Sequence, residues 1–357
     1  MSPSVAPAAD SPRKVALVTG GNSGVGLAIA QRLYDHSTAA NTPLTLVLGC
    51  RNMAKAETAR QQILNSPVHQ HLATDSDTEK PTCLVELLHI DTSSVASVKQ
   101  AAAEFGRRYS RLDRLFCNAG AMAISGLNAM NIARGITTHP VAFFESSEAV
   151  DQQRHLVTAD GLGLIFQTNV FGHYLLIHHL TDALAVARGR VIWTGSSASQ
   201  LEFSRADYQH VLGDKSYESS KYIIDQINVS LAERLRLKGV ESYVAEPGNV
   251  HSNFLASLDA MWFQVLVCLV FYICRTVAGL PRFTITAEAA CESACYLALA
   301  PDEQKEEGKL DARLKYYTHV SRLGHSSVTS SPLKYDKATA AFLMNKLDGL
   351  VARFDKQ

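Results

Sequence analysis

The 357-residue sequence lacks an excess of either charge, because its 34 lysines and arginines balance its 34 aspartates and glutamates. A nucleic-acid-binding domain usually carries a basic patch or stripe, so no nucleic-acid partner is expected. The seven cysteines are an odd number without a Cys-x-x-Cys pair, which argues against a disulfide framework. Most of them lie in or beside apolar runs, and we expect reduced, mostly buried thiols facing the cytosol.

The sequence also lacks carboxylates or thiolates placed to complete a metal site around its histidines. His173, His178 and His179 have helical spacing, but we expect structural roles for them and no bound metal. The first residues, MSPSVAPAADSPRK, contain no apolar core. We therefore expect a flexible tail over 1–13 and not a signal peptide.

A glycine-rich turn between a strand and a helix lies near the start of the chain. Val15 to Gly20 is a short apolar run typical of a buried parallel strand, and an amphipathic helix follows it. Residues 19–26, TGGNSGVG, read TGxxxGxG, one residue longer than the usual GxGxxG. This layout directs a helix N-terminus at a phosphate, so it predicts a dinucleotide site. The candidate cofactor-binding residues of the turn are Gly20, Ser23, Gly24, Val25 and Gly26.

The residue after the second strand indicates which dinucleotide binds. In dinucleotide folds an acidic residue near this point binds the ribose hydroxyls of NAD, whereas an arginine accommodates the 2′-phosphate of NADP. Here the strand LTLVLGC is followed by Arg51, with Lys55 one turn further on. An ordinary solvated helix start is the alternative, and we expect NADP.

Strands and helices alternate over most of the chain, which predicts an α/β, Rossmann-like, doubly wound parallel sheet with helices on both faces. A third strand is expected to end at Asp91 and a fourth at Asn118-Ala119-Gly120. We expect one domain over 14–357. Its predicted additions are insertions at 65–82, 121–158 and 198–215 and an apolar, membrane-associated segment at 261–280.

A tyrosine and a lysine share one helix face in YESSK, residues 217–221. A tyrosine with an ordinary pKa of about 10 is a poor acid–base group at neutral pH. Lys221, four residues after Tyr217, brings a positive charge near the phenol and favours its ionised form. The pair is therefore a candidate for proton transfer to a carbonyl oxygen.

Four motifs in a fixed order resemble the short-chain dehydrogenase/reductase family over about residues 14–255: TGxxxGxG at 19–26, NAG at 118–120, TNVFGHYLL with Asn169, and YESSK at 217–221. The resemblance implies carbonyl reduction with Tyr217 and Lys221, in which Lys221 also holds the nicotinamide ribose. Asn169 is implied to orient a water of a proton relay. The remaining cofactor contacts that it implies are Asp91, Asn118, Pro247, Gly248, Val250 and Ser252.

A serine beside the tyrosine is implied at the end of the fifth strand, GRVIWTGSSASQ. Ser196 takes that place when the strand is counted from Arg190, and Ser197 is the alternative. A simple backward count from Tyr217 would instead reach Ser204. We favour the strand end, because residues 198–215 look like an inserted loop.

Within the family, the insertion at 121–158, the apolar segment at 261–280 and stretches such as ADYQHVLGDKSYESSKY look like the branch that reduces the 3-ketone of sterol intermediates. This resemblance implies a sterol substrate and the cytosolic face of the endoplasmic reticulum membrane or a lipid droplet. A broad carbonyl or retinoid reductase would share the same catalytic residues. A scaffold that binds NADPH and holds other sterol-biosynthesis enzymes together is a further alternative. The charged C-terminal part, residues 305–357, indicates only packing or self-association.

The segment MWFQVLVCLVFYICRTVAGL, residues 261–280, contains ten residues from Val265 to Cys274 without a charged side chain. A spanning helix needs about 20 predominantly apolar residues. We expect a helix that dips into the membrane surface, with Trp262 and Arg275 at its ends. A buried core helix and a full span are the alternatives.

Overall fold

The computed structural model describes residues 13–66, 83–138, 143, 146, 148–199, 203–250, 261–301, 304 and 310–356. Its main sheet contains eight strands: β1 (Lys14–Thr19), β2 (Leu44–Cys50), β3 (Cys83–His89), β4 (Arg114–Cys117), β7 (Arg190–Thr194), β8 (Glu241–Glu246), β9 (Leu314–Val320) and β10 (Ser326–Pro332). The strand order is β10-β9-β8-β7-β4-β1-β2-β3. All neighbours are parallel except β9 and β10.

Helices cover both faces of this sheet, which confirms the predicted doubly wound architecture. Their bounds are α1 (Gly24–Ala39), α2 (Met53–Leu64), α3 (Val95–Arg108), α4 (Ala129–Thr138), α5 (Leu164–Phe166), α6 (Gly172–Ala187), α7 (Ser216–Arg236), α8 (Met261–Thr276), α9 (Ala287–Ala290), α10 (Glu292–Leu299) and α11 (Lys337–Asp355). One face of the sheet packs against α3, α6, α7 and α11, and the other against α1, α2 and α10. The central strands are therefore apolar on both sides, as in β2, where every residue is buried.

Three features of the fold differ from the sequence-based expectation. β3 ends at His89, two residues before Asp91. The insertion after β4, for which the sequence indicates weak helical character, contains α4 and also a small antiparallel pair, β5 (Ile124–Leu127) and β6 (Val150–Gln152). The C-terminal part, for which the sequence indicates only packing or self-association, supplies β9 and β10 to the main sheet.

A π-helical turn, Gln167–Phe171, joins α5 to α6. Such turns shift the backbone hydrogen bonds by one residue and are frequent at functional sites. Close packing leaves no room for a side chain at Gly172, because a Cβ there would lie 2.2 Å from the carbonyl oxygen of Thr92. The turn therefore lies against the loop that follows β3.

Candidate active site

The strand order reverses between β1 and β4, and the carboxyl ends of these strands open a crevice of the kind that binds ligands in open α/β sheets. Thr19, at the end of β1, organises this crevice. Its hydroxyl accepts hydrogen bonds from the main-chain N–H groups of Asn118 and Ala119 at 2.9 and 3.0 Å. The NAG segment after β4 is thereby fixed to the end of β1.

His173 lies fully buried behind Thr19. Its Nε2 is 2.9 Å from the Thr19 hydroxyl, and its Nδ1 is 3.3 Å from the carbonyl oxygen of Asn169. Burial lowers the pKa of His173 to about 4, and the Lys221 ammonium adds to this effect. The imidazole is therefore neutral at physiological pH and connects the crevice to the π-helical turn.

The glycines of the TGxxxGxG turn leave room for a ligand. Gly20 and Gly24 have positive φ angles of 66° and 53°, which disfavour other residues. A Cβ on Gly26 would lie 2.4 Å from the Asn118 side-chain amide, so helix and loop meet closely there. A Cβ on Gly24 would meet nothing within 4 Å, which leaves bare backbone facing open space at the start of α1. Ser23 precedes α1 and Val25 lies in its first turn; the Ser23 side chain makes no capping hydrogen bond. The turn fits the pyrophosphate of a dinucleotide.

Arg51 extends from the end of β2 with its side chain 76% exposed. Its Nη1 lies 3.9 Å from Asp91 Oδ2. The other carboxylate oxygen of Asp91 accepts hydrogen bonds from the N–H and the hydroxyl of Ser93. Asn52 caps α2 by accepting from the N–H of Lys55, and the Lys55 side chain is exposed. Two cations therefore stand at the edge of the crevice where an adenosine ribose would lie.

The side chain of Asn118 connects three strands. Its Nδ2 donates to the Thr19 carbonyl at 3.0 Å, and its Oδ1 accepts from the Thr194 hydroxyl at 3.3 Å. These bonds join the ends of β1, β4 and β7. Asn118 thus supports the floor of the crevice on which a cofactor would lie.

Asn169 lies in the π-helical turn and is 2% exposed. Its Oδ1 accepts from the N–H of Ala121 at 2.8 Å, and its Nδ2 donates to the Ala121 carbonyl at 3.0 Å and to the Ser220 hydroxyl at 2.9 Å. The amide therefore joins the NAG segment to α7. The relay water that the sequence leads us to expect at this residue stays a prediction.

Tyr217, Lys221 and Ser196 meet at the carboxyl end of β7. Lys221 is 5% exposed, and its Nζ donates to the Thr194 carbonyl at 2.7 Å and lies 5.5 Å from the centre of the Tyr217 ring. Ser196 forms a side-chain hydrogen bond with Tyr217. Ser204 is exposed on the inserted loop, and Ser197 lines a separate cavity. The structure thus brings Ser196 to the tyrosine.

Burial raises the pKa of Tyr217 to about 12, although the Ser196 hydrogen bond and the charge of Lys315 act in the opposite direction. The Lys221 ammonium lies 5.5 Å from the centre of the ring, and burial outweighs the effects that lower the pKa of the phenol. Burial and the repulsion of Lys315 lower the pKa of Lys221 to about 8. Near neutral pH the phenol is protonated and the lysine is charged, which suits proton donation to a carbonyl oxygen.

Gln152, which sequence reasoning missed, fixes the start of α7. Its Oε1 accepts from the N–H of Tyr217 at 3.0 Å and from the Ser216 hydroxyl at 3.1 Å, and its Nε2 donates to Glu218 at 2.6 Å. Gln152 is 5% exposed and belongs to β6 of the insertion after NAG. The insertion therefore orients the helix that carries the tyrosine.

The loop after β8 continues into the segment that follows α8. Gly248 has a φ of 76°, and a Cβ there would lie 2.5 Å from the Arg282 carbonyl. Asn249 donates to that carbonyl at 2.7 Å, and Val250 forms a bridge with Ile285. This places Pro247, Gly248 and Val250 at the carboxyl end of β8, beside the crevice. Ser252, the last expected cofactor contact, falls outside the described residues.

Helix α8 has one packed and one exposed apolar side. Cys274 and Phe271 pack against Phe283 and Ile285, close to the loop after β8. The opposite side exposes a row of large apolar residues, namely Val265, Leu269, Tyr272, Ile273 and Val277. Arg275 stacks over the Tyr272 ring at 5.1 Å; the Trp262 side chain falls outside the described part of the chain. We call this row the α8 apolar face.

In the described part of the chain, no helix combines the length and the apolar character that crossing a bilayer requires. Helix α8 has 16 residues.

Comparison with known proteins gives a match to the short chain dehydrogenase family model over residues 14–261. The chain is 33% identical over 339 residues to the human 3-keto-steroid reductase/17-beta-hydroxysteroid dehydrogenase 7, covering 94% of this chain and 92% of that protein. It is 30% identical over 337 residues to the Schizosaccharomyces pombe 3-keto-steroid reductase erg27, covering 90% and 91%.

Among solved structures, YwfH, an NADPH dependent reductase involved in bacilysin biosynthesis, aligns with a TM-score of 0.54. The two chains are 16% identical, and the alignment covers 84% of this chain and 95% of that one. At this identity the likeness concerns the fold. It agrees with the parallel sheet and the two helical layers.

Proposed function

The chain belongs to the short chain dehydrogenase family, and we propose that it reduces the 3-ketone of a sterol intermediate to the 3β-hydroxyl with NADPH, at the C4-demethylation stage of sterol biosynthesis. The observation that carries the proposal is the meeting of Ser196, Tyr217 and Lys221 at the end of β7, in a chain that resembles 3-keto-steroid reductases over nearly all of its length.

The cofactor residues support this proposal. Bound NADPH would supply a hydride to the carbonyl carbon of the substrate. The bare backbone at Gly24 would accept its pyrophosphate, and Lys221 would hold the nicotinamide ribose. Arg51 would bind the 2′-phosphate of NADPH with its exposed, positively charged guanidinium. NAD carries a ribose hydroxyl at this position, which offers the guanidinium no negative charge.

The proton has a direct source in Tyr217. As negative charge develops on the carbonyl oxygen, the phenol donates its proton and Ser196 donates a hydrogen bond. Because burial raises the pKa of Tyr217 to about 12, the phenol stays protonated until negative charge develops on the substrate oxygen. The Lys221 ammonium stabilises the phenolate that forms.

The α8 apolar face supports attachment to the cytosolic surface of the endoplasmic reticulum membrane. A sterol is almost wholly apolar, so the enzyme must receive it from a lipid phase. The packed side of α8 contacts Phe283 and Ile285, next to the loop after β8. An interfacial helix at this place would bring the active-site mouth to the bilayer surface.

The test is NADPH oxidation by the purified protein with three carbonyl substrates in the presence of the same vesicles: a 4-methyl-3-ketosterol, the aldehyde retinal and a small soluble ketone. We expect the sterol to have the highest kcat/KM and the product to be the 3β-alcohol. Equal kcat/KM for the three substrates would instead identify a broad carbonyl reductase. NADPH binding without turnover of any ketone would identify a scaffold.

A further inference from the structure

A buried lysine, Lys315 of β9, reaches the loop that carries Ser196. It is 3% exposed. Its Nζ donates to the Ser196 carbonyl at 2.6 Å, to the Ser199 hydroxyl at 3.1 Å and to Asp225 Oδ2 at 2.9 Å. Glu246 Oε2 lies 3.3 Å from the same nitrogen. The ammonium is therefore fixed by two carboxylates and holds the main chain beside the tyrosine.

The backbone before Ser196 is shaped for this contact. A Cβ on Gly195 would lie 2.7 Å from Val244 Cγ1 and 3.1 Å from Lys315 Cε. Any other residue at position 195 would push either the lysine or β8 away. The glycine therefore permits Lys315 to reach the serine loop.

The cluster borders a polar cavity of about 100 Å³ whose lining includes Ser197, Tyr222, Arg282 and Tyr317. Among the residues that the structure describes, Asp225 Oδ1 and Glu246 Oε1 are buried and have no hydrogen-bond partner. Two buried carboxylates beside one ammonium are not expected to stabilise the fold, because the free-energy cost of desolvating buried charges commonly exceeds the gain from their attraction. The position of the cluster beside the catalytic residues suggests another role for it.

The charge of Lys315 also acts on both titrating groups of the site. It lowers the pKa of Tyr217, whereas burial, Glu218 and Glu246 raise it. Burial and the charge of Lys315 both lower the pKa of Lys221, whereas the charge of Asp225 raises that pKa. The charged groups around Lys315 itself are Asp225 on α7, Glu246 on β8 and Lys221, with Tyr317 next to it on β9.

We propose that Lys315 is a positioning residue for the reductase reaction: it holds the Ser196 carbonyl so that the serine hydroxyl meets Tyr217. Asp225 and Glu246 keep the ammonium in place. The proposal rests on the proposed reductase function.

The variants are Lys315→Met, which removes the charge and the hydrogen bonds, and Lys315→Arg, which keeps the charge. Lys334→Met is the matched control, because Lys334 borders the same cavity with an exposed side chain. Lys315→Met with Asp225→Asn and Glu246→Gln is the neutral version of the cluster. It keeps the test possible if unpaired carboxylates melt the single variant.

For Lys315→Met we expect kcat for the ketosterol to fall at least about tenfold, since misplacement of a reacting group by about 1 Å can cost on the order of 10²-fold. The affinity for NADPH should change little. The alkaline limb of the kcat profile should move to higher pH, because the pKa values of Tyr217 and Lys221 both rise. Lys315→Arg should restore most of the rate, and Lys334→Met should match the wild type.

The titration of tyrosinate absorbance, taken as the difference between each protein and its Tyr217→Phe counterpart, reports the phenol without turnover. Its midpoint should move to higher pH in Lys315→Met. In the neutral triple variant it should not rise, because that variant also removes the charge of Glu246, which raises the pKa of Tyr217; there the expected effect is the fall in kcat. A folded variant with an unchanged midpoint and kcat overturns the positioning role and leaves the reductase function standing. Melting of both variants overturns it in favour of a structural role. Wild-type protein inactive on every ketone overturns the proposed function, while the titration still tests Lys315.

Discussion

The side chain of Gln152 accepts a hydrogen bond from the main-chain N–H of Tyr217 at 3.0 Å, across 65 residues of sequence. Helix N-termini leave N–H groups without intrahelical partners, and a capping oxygen satisfies one of them. Here the cap comes from the inserted strand β6 and not from the residue that precedes the helix. The insertion therefore controls the direction in which the tyrosine leaves α7.

Gln152→Ala should lower stability and kcat together. It leaves the start of α7 without its cap and Glu218 without its amide partner, which should cost about 1–3 kcal/mol of unfolding free energy. Urea unfolding and ketosterol reduction measure the two effects. The neighbouring Gln153→Ala, at an exposed side chain, is the control. A Gln152→Ala protein with wild-type kcat would show that the cap has no catalytic role.

Tyr217→Phe should lose turnover by about 10²–10⁴-fold, the usual contribution of a general acid. NADPH binding should persist, because the ring remains and only the proton donor is removed. Single-turnover hydride transfer, followed by NADPH absorbance, makes the measurement. A near wild-type transfer rate would exclude Tyr217 as the acid.

The affinity for NADPH should weaken as the pH rises above about 8. Burial and Lys315 lower the pKa of Lys221 to about 8, so its ammonium is present below this pH and lost above it. Lys221→Met should bind NADPH weakly at all pH values and reduce ketones slowly. Fluorescence titration of NADPH from pH 6 to 9.5 checks both proteins. The same pH dependence in wild type and variant would contradict the assignment.

Arg51→Asp should reverse the cofactor preference, since it replaces a cation at the 2′-phosphate by an anion that suits a ribose hydroxyl. A charge-assisted contact of about 1.5–3 kcal/mol corresponds to a change of at least about tenfold in the ratio of kcat/KM for NADPH and NADH. Arg107→Asp, at an exposed arginine at the far end of α3, is the control. An unchanged ratio would mean that Arg51 is an ordinary surface residue.

Leu269→Glu with Ile273→Glu should release the protein from membranes without unfolding it. Both side chains are about half exposed on the α8 apolar face, and their i,i+4 spacing puts the charges on one side. Each carboxylate costs up to about 3 kcal/mol in the hydrocarbon. Reduction of a soluble ketone should survive, while reduction of a vesicle-bound ketosterol should fall steeply.

The matched control for this pair is Val186→Glu with Leu237→Glu, at two exposed apolar residues elsewhere on the surface. Vesicle flotation and thermal melting are measured on both double variants. If α8 is instead buried against a further part of the protein, the carboxylates will lower the melting temperature and abolish both activities.

The strands and the glycine turn could be predicted because their signals are local. A buried parallel strand needs only a short apolar run, and the turn needs glycines where φ is positive. β1 and β2 accordingly lie within one residue of their expected bounds, whereas β4 and β7 end one to three residues earlier than expected.

Gln152 and Lys315 could not be predicted, because their roles depend on partners 65 and 119 residues away. A lysine within the buried strand LKYYTHV is the one local signal, since an ammonium in such a place needs acidic partners. The raised pKa of Tyr217 was missed for a related reason. The spacing of Tyr217 and Lys221 reports their proximity, but it does not report how deeply the phenol is buried.

The placement of β9 has a consequence for protein synthesis. The ribosome makes Ser196 and Tyr217 long before it makes Lys315, which lies 119 residues after the serine. A nascent chain that has already folded its first parallel strands would still have Asp225 and Glu246 facing each other without the ammonium between them. Pairing between strands that are far apart in the sequence is slow, because the closure of the long loop must come first. The growing chain thus acquires its complete serine loop only when the late strand joins the sheet.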